Sequence, residues 1–251
     1  MKVLVLASGG IDSTTAIALA IDKYGKENVI ALSMSYGQKH NKEIESARAV
    51  AEHYGIEQLF LDLSRIFQYS SSSLLSRSEE EIPKGTYGAQ IKESEEEIPS
   101  TYVPFRNGLF LSSAASIALS KDCEIIYYGA HADDATGAAY PDCTPEFNDA
   151  MNEAIWQGSG KQLRIEAPFV NMNKSDVVKL GLELKAPYEL TWSCYEGGEE
   201  PCGQCATCID RAKAFEINGT EDPALRRYKS EKRRRGITAF RRSECKIQDG
   251  L

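Results

Sequence analysis

No run of this chain approaches the length of a membrane-spanning helix, and the apolar stretch Val3 to Ala7 behind Met1-Lys2 is too short for a secretory signal and lacks its flanks. A soluble, cytoplasmic protein is therefore expected, with no membrane partner. Basic residues are also in deficit. The 29 Lys and Arg against 37 Asp and Glu leave a formal net charge of -8, which argues against a surface built throughout to hold nucleic acid. An even cysteine count is missing too: seven cysteines without a signal make a disulfide framework the weaker reading.

At 251 residues, 42% hydrophobic and 26% charged, the chain suffices for one large α/β domain and a small appendage. Val3 to Ala7, Val29 to Tyr36, Ile56 to Leu63, Glu124 to Gly129 and Leu163 to Phe169 read as strands. Between them, Ser13 to Tyr24, Asn41 to Tyr54, Asn107 to Leu119 and Pro145 to Trp156 read as helices, the second carrying Ile44, Ala47, Val50, Ala51 and Tyr54 on one face. Strands that are mostly solid apolar runs, alternating with helices, predict a parallel sheet covered on both faces, with ligands at the carboxyl edge. Residues 64–100 interrupt the pattern with Ser70 to Ser73 and two near-copies, Ser78-Glu79-Glu80-Glu81-Ile82-Pro83 and Ser94-Glu95-Glu96-Glu97-Ile98-Pro99. A solvated loop grown by duplication is one reading, a mobile lid the other.

Ser8-Gly9-Gly10-Ile11-Asp12-Ser13 falls between the first strand and the first helix, where glycines permit close backbone approach and free amides can hold an anion. The hydroxyls of Ser8, Ser13 and Thr14 add donors. The motif is neither GxxxxGK[ST] nor GxGxxG. The plain alternative is that Gly9-Gly10 only turns the chain and Asp12 caps a helix. The hexapeptide resembles the SGGxDS pyrophosphate loop of the PP-loop ATPases, with an adenine nucleotide alpha hydrolase-like fold. That resemblance spans Ala7, Ser8, Gly9, Gly10, Ile11, Asp12, Ser13, Thr14, Thr15, Ala16 and Ile17 and implies ATP binding and an adenylated intermediate. Asp12 is a candidate to orient Mg²⁺ with ATP, and Lys174, in Asn173-Lys174-Ser175-Asp176, a candidate to stabilise the departing pyrophosphate. Lys174 reads equally well as a solvated helix-start residue.

Cys194, Cys202, Cys205 and Cys208 are spaced C-x7-C-x2-C-x2-C, with Pro201 and Gly203 permitting tight turns. Four thiolates close a tetrahedron around Zn²⁺ and leave no open position, so the predicted metal is structural. An iron–sulfur cluster is the rival, although the spacing is unlike the ferredoxin pattern that ends in Cys-Pro. Cys123, Cys143 and Cys245 read as unligated. The organisation expected is a nucleotide-binding and catalytic domain over 1–190, a zinc-binding segment over 191–224 and a basic tail over 225–251.

Two further stretches bear on the substrate. Tyr102-Val103-Pro104-Phe105-Arg106-Asn107 puts an arginine at a helix start, which suits an anionic group. Gly129-Ala130-His131-Ala132-Asp133-Asp134 follows a strand and leads to Tyr140-Pro141-Asp142-Cys143-Thr144-Pro145-Glu146-Phe147. Together with Tyr36 to His40, Trp192-Ser193-Cys194 and the cysteine cluster, these motifs over about residues 1 to 224 resemble the 7-cyano-7-deazaguanine synthase family. The resemblance implies 7-carboxy-7-deazaguanine, ammonia and ATP as substrates and a homodimer as the assembly. Ser8, Asp12, Ser13, Arg106 and Lys174 are then the catalytic candidates. A deazaguanine presents N–H donors, so Asp133, Asp134, Asp142 and Glu146 are candidate readers, and Tyr36 or Phe105 candidates to stack on its ring. The ordinary alternatives are that Asp142 caps or turns, that Glu146 sits in a helix first turn and that His131 is structural. The acidic duplication and the tail from Arg226 to Arg242 depart from the family pattern; the tail suits RNA, a protein partner or a solvated face. Adenylation of a transfer RNA base or a protein acceptor, and nucleotide sensing without turnover, are the competing functions.

Overall fold

The structure, a computed structural model, describes residues 1–86, 99–131 and 140–226. Val3–Leu6 (β1), Val29–Ser35 (β2), Glu57–Asp62 (β3), Ile125–Tyr127 (β4) and Arg164–Glu166 (β5) form one sheet in the order β3-β2-β1-β4-β5. Every neighbouring pair is parallel, as the solid apolar runs predict. The helices are Ile11–Tyr24 (α1), Lys42–Tyr54 (α2), Arg106–Ser120 (α3), Pro145–Gly158 (α4), Lys174–Glu183 (α5) and Ala206–Ile217 (α6).

Alternate strand residues go to opposite layers. Val3, Val5, Val29 and Ala31 join Ile17, Val50, Val177 and Phe215, from α1, α2, α5 and α6. Leu4, Ile30 and Leu32 join Leu111, Ala114 and Ile155, from α3 and α4. The chain first lays β2 and β3 on one side of β1, then crosses to lay β4 and β5 on the other. Strand order reverses between β1 and β4, and the crevice outside their carboxyl ends is the natural ligand site of such a sheet.

The polar stretch after β3 is held more firmly than its composition suggests. Ser72, Ser73, Leu74 and Leu75 are buried, and Ile82 of the first acidic copy is buried while Glu79, Glu80 and Glu81 are exposed. Backbone bonds fix the segment: Lys39 N–H donates to the Leu74 carbonyl at 3.0 Å, Ser76 N–H to that of Gly37 at 2.8 Å and Ser73 N–H to that of Ser100 at 2.9 Å. The serine hydroxyls accept locally, Ser70 from Ser72 N–H at 3.2 Å and Ser72 from Leu74 N–H at 3.3 Å, which lets a polar run enter the interior. Residues 87–98, with most of the second copy, and the tail from 227 lie outside the described residues.

One buried ion pair secures the C-terminal segment. Arg211 of α6 donates Nε to Asp222 Oδ2 at 2.6 Å and Nη2 to Oδ1 at 2.9 Å, while Nη1 reaches the Thr191 hydroxyl at 2.9 Å. Both partners are buried, so deleting one leaves the other charge uncompensated. Asp222→Ala is expected to lower the unfolding free energy by about 3–5 kcal/mol, measured as a lower urea midpoint at unchanged slope.

Candidate active site

Beyond β1 the chain turns at Gly9, whose φ of 85° is a left-handed conformation that glycine adopts freely. A side chain there would collide with the Glu43 carbonyl and lie 2.6 Å from the Ala47 amide nitrogen, so its absence lets α2 close on the loop. The Ser13 hydroxyl holds the turn, accepting from Gly9 N–H at 3.1 Å and lying 3.1 Å from the Ser8 hydroxyl. Gly10 precedes α1 and brings no side-chain cap, so no side-chain oxygen at that cap competes with an anion for the first-turn N–H groups.

Among the residues expected to hold ATP, Ala7, Ser8, Gly10, Ile11, Asp12 and Ser13 line a cavity at this edge. Thr14, Thr15, Ala16 and Ile17 lie buried behind it. Thr15 donates to the Ile11 carbonyl at 2.9 Å and meets the Tyr188 hydroxyl at 2.7 Å, a packing role. Gly181 of α5 leaves room for that tyrosine: a Cβ there would collide with its hydroxyl.

This tight α1–α5 contact brings in Lys174. Asn173 and Asp176 form a reciprocal capping box, with Asp176 N–H donating to Asn173 Oδ1 at 3.0 Å and Asn173 N–H to Asp176 Oδ2 at 3.2 Å. Lys174 therefore starts α5, and its Nζ lies 2.5 Å from Asp12 Oδ2. His131, just past β4, places Nε2 3.4 Å from the same Nζ and 3.8 Å from Asp12 Oδ2. Burial works to raise the Asp12 carboxyl, but the charges of Lys174 and His131 and the Lys174 hydrogen bond outweigh it and hold the carboxyl below its ordinary value. Asp12 Oδ1 is buried and has no hydrogen-bond partner among the described residues. A small hard cation fits that oxygen.

The opposite wall is built at the start of α3. Asp142 Oδ2 accepts from Asn107 N–H at 2.8 Å and the Asp142 carbonyl from Asn107 Nδ2 at 3.0 Å. Asp142 is buried and ties the helix start from behind, rather than lining the cavity. Arg106, which does line it, carries its guanidinium 5.1 Å from the centroid of the Tyr36 ring. Burial opposes the Arg106 charge, yet Tyr36, Tyr195 and Asp142 reverse that effect and raise its pKa. Tyr36 lines the cavity beside Phe110. Phe105 is 56% exposed and Glu146 is exposed, and neither lines it. Asp133 and Asp134 lie outside the described residues.

Glu43 is a cavity residue that the motifs do not single out. Burial raises its carboxyl to about 7, against the lowering influence of Arg106. Its sequence signal is faint: an acid one helical turn before Ala47, in line with the buried stripe through Val50.

The four cysteine sulfurs lie within 4.8 Å of one another and form a group that can hold a metal ion. Cys202 N–H donates to Cys194 Sγ at 3.3 Å and Cys205 N–H to Cys202 Sγ at 3.3 Å, support suited to thiolates. Trp192 joins this group to the glycine loop: its N–H donates to the Gly9 carbonyl at 3.0 Å and its indole to the Cys194 carbonyl at 2.7 Å.

The family model described as queuosine biosynthesis protein QueC matches residues 2–219. A 7-cyano-7-deazaguanine synthase of Archaeoglobus fulgidus is 45% identical over 226 residues, which cover 90% of this chain and 90% of that protein. Another, of Oceanobacillus iheyensis, is 42% identical over 225 residues, 88% of this chain and 96% of that protein. Among solved structures, NMN synthetase from Francisella tularensis aligns at 18% identity with a TM-score of 0.48, over 88% of this chain and 78% of that one.

Two outcomes follow from this geometry. Cys208→Ser is expected to strip bound metal from the purified chain, as read by elemental analysis. Glu43 holds its proton more tightly when folded, so the stability it contributes is full below its ordinary value of 4.5 and is lost as pH rises through about 7. Glu43→Gln should therefore gain on the unsubstituted chain between about pH 5 and about pH 8 in urea midpoint, and an equal difference at both pH values contradicts this.

Proposed function

The chain belongs to the QueC family, that of the 7-cyano-7-deazaguanine synthases, and from this premise we propose that it combines 7-carboxy-7-deazaguanine with ammonia at the expense of ATP and dehydrates the amide to a nitrile. The observation that carries the reading is the Asp12–Lys174 pair, set where a helix start can take an anion and opening on the cavity that Arg106 and Tyr36 also line.

In this reading the loop amides, with the hydroxyls of Ser8 and Ser13, hold the pyrophosphate part of ATP, and Lys174 stabilises the charge that grows there as it departs. A carboxylate oxygen of the substrate attacks the α-phosphate and diphosphate leaves, giving an acyl adenylate. Ammonia adds to the acyl carbon, AMP leaves, and the ammonium proton is lost to solvent. The amide oxygen then attacks a second ATP, diphosphate leaves again, and loss of AMP with the remaining nitrogen protons yields the nitrile. One site serves both stages, because each activates an oxygen on the same carbon.

Asp12, through its free Oδ1, is the residue that would hold Mg²⁺, which supplies positive charge against the phosphates. The four cysteines suit a structural Zn²⁺, since four protein thiolates leave no open position. Residues 1–190 carry the chemistry in this reading and 191–224 the metal. A homodimer in the cytoplasm belongs to the reading on the family resemblance. Among the described residues no helix is long and apolar enough to cross a membrane.

Purified chain supplied with 7-carboxy-7-deazaguanine, ammonium and Mg-ATP is expected to form the nitrile with two AMP per nitrile, measured by mass spectrometry. Asp12→Ala should abolish both products, and Lys174→Ala should lower kcat by about 10²–10³-fold. AMP without nitrile would refute the synthase reading and point to another acceptor.

A further inference from the structure

Arg106 and Glu43 line the cavity as a guanidinium and a carboxyl group that are not joined in an ion pair. Among the described residues no hydrogen bond or ion pair reaches the Glu43 carboxylate; Arg106 acts on it only at longer range. Its place is set by the fold instead, because the Glu43 carbonyl packs against Gly9 in the first turn of α2. The cavity thus offers a fixed acceptor and a fixed donor to whatever occupies it. A carboxylate accepts hydrogen bonds and a guanidinium only donates them.

A 7-deazaguanine ring matches that pair. Its C6 carbonyl oxygen accepts, and the neighbouring N1–H and 2-amino group donate. Position 7 is carbon and bears the reacting carboxylate, so the O6 and N7 acceptors that an arginine grips in guanine are reduced to O6 alone. The adjacent N–H donors then need an acceptor of their own. Adenine carries the reverse order, an amino group at C6 and an acceptor at N1, which a carboxylate repels. Tyr36 and Phe110, with ring centroids 6.1 Å apart, give a flat ring its aromatic neighbours on the same wall.

We propose that Glu43 is the residue that reads the base of the carboxylate substrate, accepting from N1–H and the 2-amino group while Arg106 donates to the C6 carbonyl oxygen. This rests on the synthase reading above. The raised Glu43 carboxyl agrees with it, since a carboxylate poorly satisfied in the cavity gains from two incoming donors. The same residue then separates the two bases that enter one site, admitting the deazaguanine and turning away the adenine of ATP.

The test compares two substrates, 7-carboxy-7-deazaguanine and its analogue without the 2-amino group, on the unsubstituted chain, Glu43→Gln and Glu43→Asp. For the parent substrate Glu43→Gln is expected to lower kcat/KM by about 10²-fold, chiefly through KM, with KM for ATP changed less than about twofold. The unsubstituted chain should lose at least about tenfold on the analogue, and Glu43→Gln should use both substrates equally, since a glutamine keeps one oxygen for N1–H and has no second acceptor for the 2-amino group. Glu43→Asp should recover part of the preference for the 2-amino group. Equal use of both substrates by the unsubstituted chain overturns the proposal. So does a loss confined to kcat and equal for both substrates, which would make Glu43 a proton carrier instead. An unaltered KM for ATP in both variants shows that they fold. Absence of any nitrile from the unsubstituted chain refutes the synthase reading itself, a result distinct from these.

Discussion

The ligand-binding edge depends on how closely other parts of the chain approach the backbone at Gly9. The Ser13 hydroxyl holds its N–H, the Trp192 N–H holds its carbonyl, and the first turns of α2 fill the space that a side chain would occupy. Two distant stretches of sequence, together with the adjoining first turn of α1, are thereby brought onto one residue. Because its N–H and carbonyl are both satisfied by protein, the loop keeps its shape through directed bonds as well as through packing of the layers behind it. Any side chain at this position would have to move α2, and Glu43 with it.

The sheet is legible in the sequence because its signals are local. Val3 to Leu6 and Val29 to Leu32 are unbroken apolar runs, and a strand buried on both faces needs nothing else to announce it. The cysteine spacing is legible for a similar reason: three of the four ligands lie within seven residues, so the chain itself limits how far apart the sulfurs can be. What the sequence hides is orientation and long-range satisfaction. Phe105 and Glu146 have suitable chemistry, yet each stands on an exposed surface. Asp142 sits in a telling motif but its carboxylate caps the backbone of Asn107. The run Ser70 to Ser73 looks like solvent-exposed loop, and only the partners at Lys39, Gly37 and Ser100 explain how Leu74 and Leu75 come to be buried after it. Glu43 is the converse case, a residue with a weak motif and a strong position.

The cysteine-bearing segment is more than an appendage to the catalytic layer. Trp192, Ser193, Tyr195, Thr207 and Asp210 all line the cavity, so part of its wall belongs to the segment that carries the four-cysteine group. The carbonyl of Cys194 receives the Trp192 indole and lies 3.0 Å from His40 Nε2, while Arg211 braces the same stretch through Thr191 and Ser193. Structural and ligand-facing duties therefore meet within a few residues.

The double engagement of Glu43 has a mechanical corollary. Its carbonyl abuts the glycine loop while the residue lines the open cavity, so in the proposed reading a single residue spans the gap between the pyrophosphate and the base. That residue acts as a ruler. Near-attack distances tolerate errors of only a fraction of an ångström, and a spacer one residue long has few rotatable bonds through which such errors can accumulate.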